Sequence, residues 1–269
     1  MPTIGFIGAG NMAEALIKGI IAGGVYEPAD VLISDIRADR LDWLAQQYEV
    51  TCARDNAELA DKADIIVLSV KPQIMSEALY AIKDVVTTNK LVISIAAGIK
   101  IACITDALGD LPVVRVMPNT PALISQGASG LCANEQASPM LDTVRSIFAS
   151  VGKVVVVDNE DLIDSVTAVS GSGPAYYFLL MEKMIEAGIE LGLSPDVAKD
   201  LVLQTAKGTA MLALEADTTG ETPAELRRKV TSPGGTTEAA LKVFADGRMP
   251  ETIVAGVTRA RDRARELSG

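Results

Sequence analysis

The chain has 269 residues, of which 49% are hydrophobic and 22% charged, a balance that excludes a disordered chain and suits one large domain or two ordinary ones with a sizeable core. Lys plus Arg is 24 and Asp plus Glu is 35, a net charge of −11 that repels a phosphate backbone or an anionic membrane surface, so neither nucleic acid nor membrane is expected as a partner. Histidine is absent, which excludes a Ser-His-Asp centre and a His-rich zinc site, and no metal is expected.

The first half of the chain alternates short β-branched runs with longer amphipathic segments. Residues 3–7 predict a strand that ends in glycines. Residues 10–22 predict a helix, with Met12, Leu16, Ile17, Ile20 and Ile21 at helical spacing. Val31–Ser34 reads as a second strand and residues 39–48 as a helix carrying Leu41, Leu44 and Ala45. Residues 65–70, 91–95 and Val113–Met117 are further apolar strands, with Gly127–Ala133 and residues 153–157 near the sheet edge. Such alternation predicts a parallel sheet covered on both faces. Past residue 158 the pattern becomes all-helical: residues 161–169, 175–191, 195–216, Pro223–Lys229, 236–244 and 250–267, with start signals at Gly173-Pro174, Ser194-Pro195 and Ser232-Pro233. The expected architecture is an α/β Rossmann-type N-terminal domain over residues 1–158, followed by an all-α C-terminal domain over residues 159–269.

Gly8-Ala9-Gly10-Asn11-Met12-Ala13 fits G-x-G-x-x-A between a predicted strand and a predicted helix. Gly8 allows the tight turn, Gly10 lets a pyrophosphate approach the backbone, and Ala13 keeps the helix close to the sheet. The phosphates of a dinucleotide would sit on the helix N-terminus. The second strand ends at Ser34-Asp35, where an acid takes the ribose hydroxyls of NAD; Arg37 follows and could instead pair with the 2′-phosphate of NADP, so both coenzymes stay open. Val70-Lys71-Pro72, residues 94–98 and residues 117–121 each close a predicted strand, the edge where such sheets bind ligands.

Cys52, Cys103 and Cys132 show no C-x-x-C spacing and read as buried thiols of a reducing, cytoplasmic compartment. The opening MPTIGFIGAGNM lacks the basic and long apolar regions of a signal peptide, and no run of about 18 apolar residues predicts a membrane span.

Taken together, Phe6 to Met12, Val70 to Pro72, residues 94–98, residues 117–121, Ser170-Gly171-Ser172-Gly173-Pro174-Ala175-Tyr176 and Thr231-Ser232-Pro233-Gly234-Gly235-Thr236-Thr237 resemble the pyrroline-5-carboxylate reductase family from end to end, the last stretch being the most specific. The resemblance implies reduction of 1-pyrroline-5-carboxylate to L-proline with NADPH or NADH. It also implies a helical domain that interlocks with that of a second subunit, giving a homodimer at least, and a decamer in some members. It puts the coenzyme against Phe6, Ile7, Gly8, Ala9, Gly10, Asn11, Met12, Ser34 and its neighbours Asp35 and Arg37, Asn56, Ser69, Val70, Lys71, Pro72, Ile95, Ala96 and Ala97. It puts the substrate against Glu160, Lys229, Ser232, Gly234, Gly235, Thr236 and Thr237. Asp35 stands where members that prefer NADPH carry a small hydroxyl or neutral residue.

The chemistry agrees with the residues present. A cyclic imine is basic enough to arrive protonated, so no histidine is needed to supply the proton. The backbone N–H groups of residues 234–237 are expected to hold the substrate carboxylate, and the Thr237 hydroxyl to hydrogen-bond the ring nitrogen. Two alternatives remain open from the sequence. One is a β-hydroxyacid dehydrogenase, for which Lys183 would have to be the proton donor although its helix neighbours make it a surface residue. The other is a coenzyme-binding sensor without turnover. Ser232 to Thr237 also reads as a plain helix cap, and Tyr176 and Tyr177 as core or site-lining residues.

Overall fold

A computed structural model describes residues 2–268. The chain runs β1 Ile4–Ile7, α1 Asn11–Ala22, β2 Val31–Ser34, α2 Ala38–Tyr48, β3 Thr51–Cys52, α3 Asn56–Lys62, β4 Ile65–Leu68, α4 Met75–Ile82, β5 Leu91–Ser94, α5 Ile101–Leu108, β6 Val113–Met117, β7 Gly127–Ala133, α6 Leu141–Ala149 and β8 Gly152–Val156. It continues through α7 Leu162–Val166, a π turn over Thr167–Gly171, α8 Gly173–Glu190, α9 Pro195–Asp217, α10 Pro223–Lys229, α11 Thr236–Asp246 and α12 Met249–Ser268.

The eight strands of the described residues join one sheet in the order β3-β2-β1-β4-β5-β6-β7-β8, parallel throughout except for the antiparallel pair β6–β7. Every residue of β1, β2, β4 and β5 is buried, which is why these strands read as unbroken apolar runs. The pleat sends alternate side chains to opposite faces. Ile4, Phe6, Ile33, Val67 and Ile93 pack with Leu16, Ile17 and Ile20 of α1 and with Ile147 and Phe148 of α6. Ile7, Leu32, Ile66, Leu68 and Val92 pack on the other face with Leu59, Leu79, Ile82 and Ile104 of α3, α4 and α5. Gly5 has no side chain because Leu59 fills its place: a Cβ there would lie 2.4 Å from Leu59 Cδ2.

The chain leaves β1 towards β2 on one side and returns to β4 on the other, so the topological switch lies between β1 and β4, whose Ile7 and Leu68 are register partners. In such sheets the ligand crevice opens at the carboxyl ends of these two strands. Packing sets residues Ala175–Thr258 apart as a second compact unit; α12 begins there, and from Arg259 its last turns count with the first unit.

The cysteine expectation is corrected: only Cys132 is buried, while Cys52 on the two-residue edge strand β3 and Cys103 on the outer side of α5 are exposed. Among the described residues no helix is long and apolar enough to cross a membrane.

Candidate active site

The glycine turn follows β1 directly. Gly8 adopts φ +95° and donates its N–H to Ser34 O at 2.8 Å, and a Cβ on Gly8 would lie 2.9 Å from the Ser69 carbonyl. Only glycine meets both demands. Gly10 is the N-cap of α1 in extended conformation, no side chain caps the helix, and the place where its Cβ would stand is empty to 4 Å. The first-turn N–H groups after it, on Asn11, Met12 and Ala13, have no acceptor within the helix and face this gap with the positive end of the helix dipole. A pyrophosphate fits that cradle, and a side chain at residue 10 would fill it. Phe6 and Ile7 are strand residues whose side chains enter the two cores, so they support the turn from beneath.

At the end of β2 the Ser34 hydroxyl donates to Asn56 Oδ1 at 2.7 Å, fixing the first residue of α3 against the turn. Asp35 and Arg37, set against each other by sequence, are joined. Asp35 Oδ1 accepts the Arg37 N–H at 3.0 Å and Arg37 Nε at 3.4 Å, and Asp35 Oδ2 accepts the Ala9 N–H at 2.7 Å. The acid therefore braces the glycine turn, while Arg37 stays largely exposed. Two residues that sequence reasoning missed stand here. Ile36 is almost fully exposed between them, and Arg40 of α2 donates Nε to Ala9 O at 2.7 Å.

Beyond β4, the Ser69 hydroxyl lies 2.6 Å from Gly8 O and 3.0 Å from Ile7 O, tying the switch together. Val70 is half-buried; Lys71 and Pro72 are exposed at the start of a short 3-10 turn. Beyond β5, Ile95 donates its N–H to Leu68 O at 3.2 Å, Ala96 is buried and Ala97 exposed. All the expected coenzyme residues thus lie at or beside the carboxyl ends of β1, β2, β4 and β5.

Glu160 is placed differently from the rest of the expected substrate set. Its Oε1 accepts Arg115 Nη1 at 3.0 Å and the Ile101 N–H, the first residue of α5, at 2.8 Å. Arg115 is 2% exposed and also lies 3.7 Å from Asp164, whose carboxylate accepts the Ser268 hydroxyl at 3.4 Å. Glu160 therefore belongs to a partly buried ionic cluster that caps α5 and fastens α7 to β6. Burial, with Glu160 nearby, pushes the Cys132 thiol up. The stretch before Ala175 packs closely: a Cβ on Gly171 would lie 2.7 Å from Met117 Cε, and Asn119 Nδ2 donates to Ser170 O at 3.1 Å.

In the second unit, Ser232-Pro233 does not start a helix. Gly235 is the N-cap of α11, without a side-chain cap, and Gly234 turns at φ +71°. This removes the plain-cap reading of the loop, and it narrows the expected carboxylate cradle. Gly234 donates its N–H to Glu238 Oε2 at 2.7 Å and Gly235 donates to Ser232 O at 3.0 Å, so the first-turn N–H groups of Thr236 and Thr237 are left to meet a ligand. Thr236 is exposed and Thr237 half-buried. Lys229, exposed at the end of α10, forms an ion pair with Glu221. Lys183 pairs with Glu186 and Glu182 on the exposed face of α8. Tyr176 is half-exposed and Tyr177 mostly exposed.

Two family profiles match the chain: pyrroline-5-carboxylate reductase dimerisation over residues 160–267, and NADP oxidoreductase, coenzyme F420-dependent, over residues 3–98. The chain is 47% identical to the pyrroline-5-carboxylate reductase of Pseudomonas aeruginosa, covering 99% of this chain and 97% of that protein. It is 38% identical to pyrroline-5-carboxylate reductase 2 of Bacillus subtilis, covering 99% and 95%. Among solved structures, a pyrroline-5-carboxylate reductase from Coxiella burnetii superposes with a TM-score of 0.93 at 42% identity, covering 100% and 99% of the two chains. The pyrroline carboxylate reductase of Plasmodium falciparum, solved with NADP bound, gives a TM-score of 0.86 at 31% identity, covering 100% and 98%.

Proposed function

This chain belongs to the pyrroline-5-carboxylate reductase family, and on that premise we propose that it reduces 1-pyrroline-5-carboxylate to L-proline, the last step of proline biosynthesis, as a homo-oligomer in the cytoplasm. Residues 1–158 serve as the coenzyme domain and residues 159–269 as the helical substrate and dimerisation domain. The observation that carries the reading is the glycine turn built at the β1–β4 switch of a chain that aligns end to end with reductases of this one activity.

The coenzyme, NADPH or NADH, supplies a hydride to the carbon of the C=N bond. The chain's own residues bind and orient. Gly8 to Met12 present the start of α1 to the pyrophosphate. Asp35, Arg37, Ser34 and Asn56 surround the adenosine ribose, and exposed Ile36 offers the adenine an apolar surface. Ser69 to Pro72 and Ile95 to Ala97 line the nicotinamide half. On the substrate, the N–H groups of Thr236 and Thr237 hold the carboxylate, and the Thr237 hydroxyl accepts a hydrogen bond from the ring N–H of the imine, which arrives protonated, so that hydride addition to the carbon leaves the neutral amine. Lys229, Ser232, Gly234 and Gly235 shape that loop, and Glu160 acts through its place in the Arg115 cluster. Positioning of this kind supplies rate without a dedicated acid.

The test is to mix the purified chain with 1-pyrroline-5-carboxylate and follow consumption of NADH and NADPH in parallel. Turnover with either coenzyme is expected. A chain that binds the coenzymes and consumes neither would overturn the assignment.

A further inference from the structure

The G-x-G-x-x-A pattern leaves its second position open, yet here the peptide at that position is held from both sides. Ala9 is fully buried; its N–H donates to Asp35 Oδ2 at 2.7 Å, and its carbonyl accepts Arg40 Nε at 2.7 Å. Arg40 is engaged in more than this one bond. Its Nη2 pairs with Glu14, the acid in the first turn of α1, and its guanidinium lies 4.9 Å over the Trp43 ring. Tyr48 completes the group: its hydroxyl donates to Glu14 Oε1 at 3.3 Å, and its ring meets Trp43 edge-on at 6.0 Å. The Tyr48 hydroxyl is pushed up, first by burial and then by Glu14.

Two physical consequences follow. A turn flanked by Gly8 and Gly10 is intrinsically mobile, and fixing the peptide between them removes ordering that binding would otherwise have to supply. Glu14 also puts a negative charge in the first turn of the helix whose N-terminus faces the open cradle. An anion there would meet that charge unless it is paired, and Arg40 pairs it.

We propose that Arg40 is a positioning residue for the pyrophosphate of the coenzyme: without touching the ligand, it holds the Ala9 carbonyl and neutralises Glu14. The proposal rests on the coenzyme reading given above. Because both effects act on the pyrophosphate and not on the 2′ group, they apply equally to NADH and NADPH.

The test is calorimetric titration of the wild-type chain, Arg40→Ala, Arg40→Lys and Arg40→Ala combined with Glu14→Gln with NADH, NADPH, ADP and 2′-AMP. Arg40→Ala should weaken NADH, NADPH and ADP by a common factor of about tenfold, the scale of one lost charge-assisted hydrogen bond. Binding of 2′-AMP, which has no pyrophosphate, should not change, and the KM for coenzyme should rise by more than kcat falls. Arg40→Lys should lie between, and Glu14→Gln should recover part of the loss in the Arg40→Ala chain. A purely structural role would weaken 2′-AMP as well and would show no recovery; that result, or unchanged binding of NADH and NADPH, would overturn the proposal alone. A wild-type chain that bound neither coenzyme would overturn the coenzyme reading itself, and this proposal with it.

Discussion

Gly8 and Gly10 stand two residues apart and do different work. Gly8 is required by the fold, since its φ is +95° and a methyl group would press on the Ser69 carbonyl. Gly8→Ala should lower stability by about 1–3 kcal/mol, read as a lower midpoint in urea. Gly10 has φ −72° and open space around it, so Gly10→Ala should melt like the wild type and lose coenzyme affinity in titration. Equal stability losses for the two variants would contradict this division. Thr237 belongs to the same scale: Thr237→Ala should lower kcat by roughly 10- to 100-fold, with Thr237→Ser retaining most of the rate. Unchanged steady-state kinetics for Thr237→Ala would remove it from the mechanism. The motif glycines were legible because each satisfies a local backbone demand. The partners of Ala9 were not legible, because Asp35 and Arg40 reach it from 26 and 31 residues away.

At the scale of elements, the strands were the clearest in the sequence. Four of them are buried on both faces and read as continuous apolar runs, whereas α3, α4, α5 and α6, at 7 to 9 residues each, gave too little periodicity to stand out. One of these did carry a signal: Asp55 caps α3 by accepting the Glu58 N–H at 2.8 Å, an acid three residues before a Glu. The start of α5 carries none, because its cap is Glu160, brought in by the sheet. That cap depends on Arg115. Arg115→Ala would leave the Glu160 and Asp164 carboxylates without their cation, and stability should fall by about 3–5 kcal/mol in urea unfolding. A loss below about 1 kcal/mol would mean that the cluster does not fasten α7 to the sheet.

The whole molecule poses a question that one chain does not answer by itself. In α9, 23 residues long, only Ala198, Val202 and Ala216 are buried, and α10 and α11 bury none. Leu179, Leu180, Leu201, Leu203, Leu212 and Leu214 are exposed. Helices with this much uncovered apolar surface need a partner, in keeping with the dimerisation profile that spans them. Sedimentation at micromolar concentration should give a dimer or a larger closed assembly, and Leu212→Glu should shift it towards monomer; a wild-type monomer would contradict this. The apolar helices were legible as helices, but their lack of an internal core is a property of packing that no local pattern contains. Transfer of a hydride onto the imine carbon is read out by supplying coenzyme deuterated at the nicotinamide C4 and examining the product by NMR. L-proline with deuterium on the former imine carbon is expected; consumption of coenzyme without deuterated proline would contradict hydride transfer to the imine.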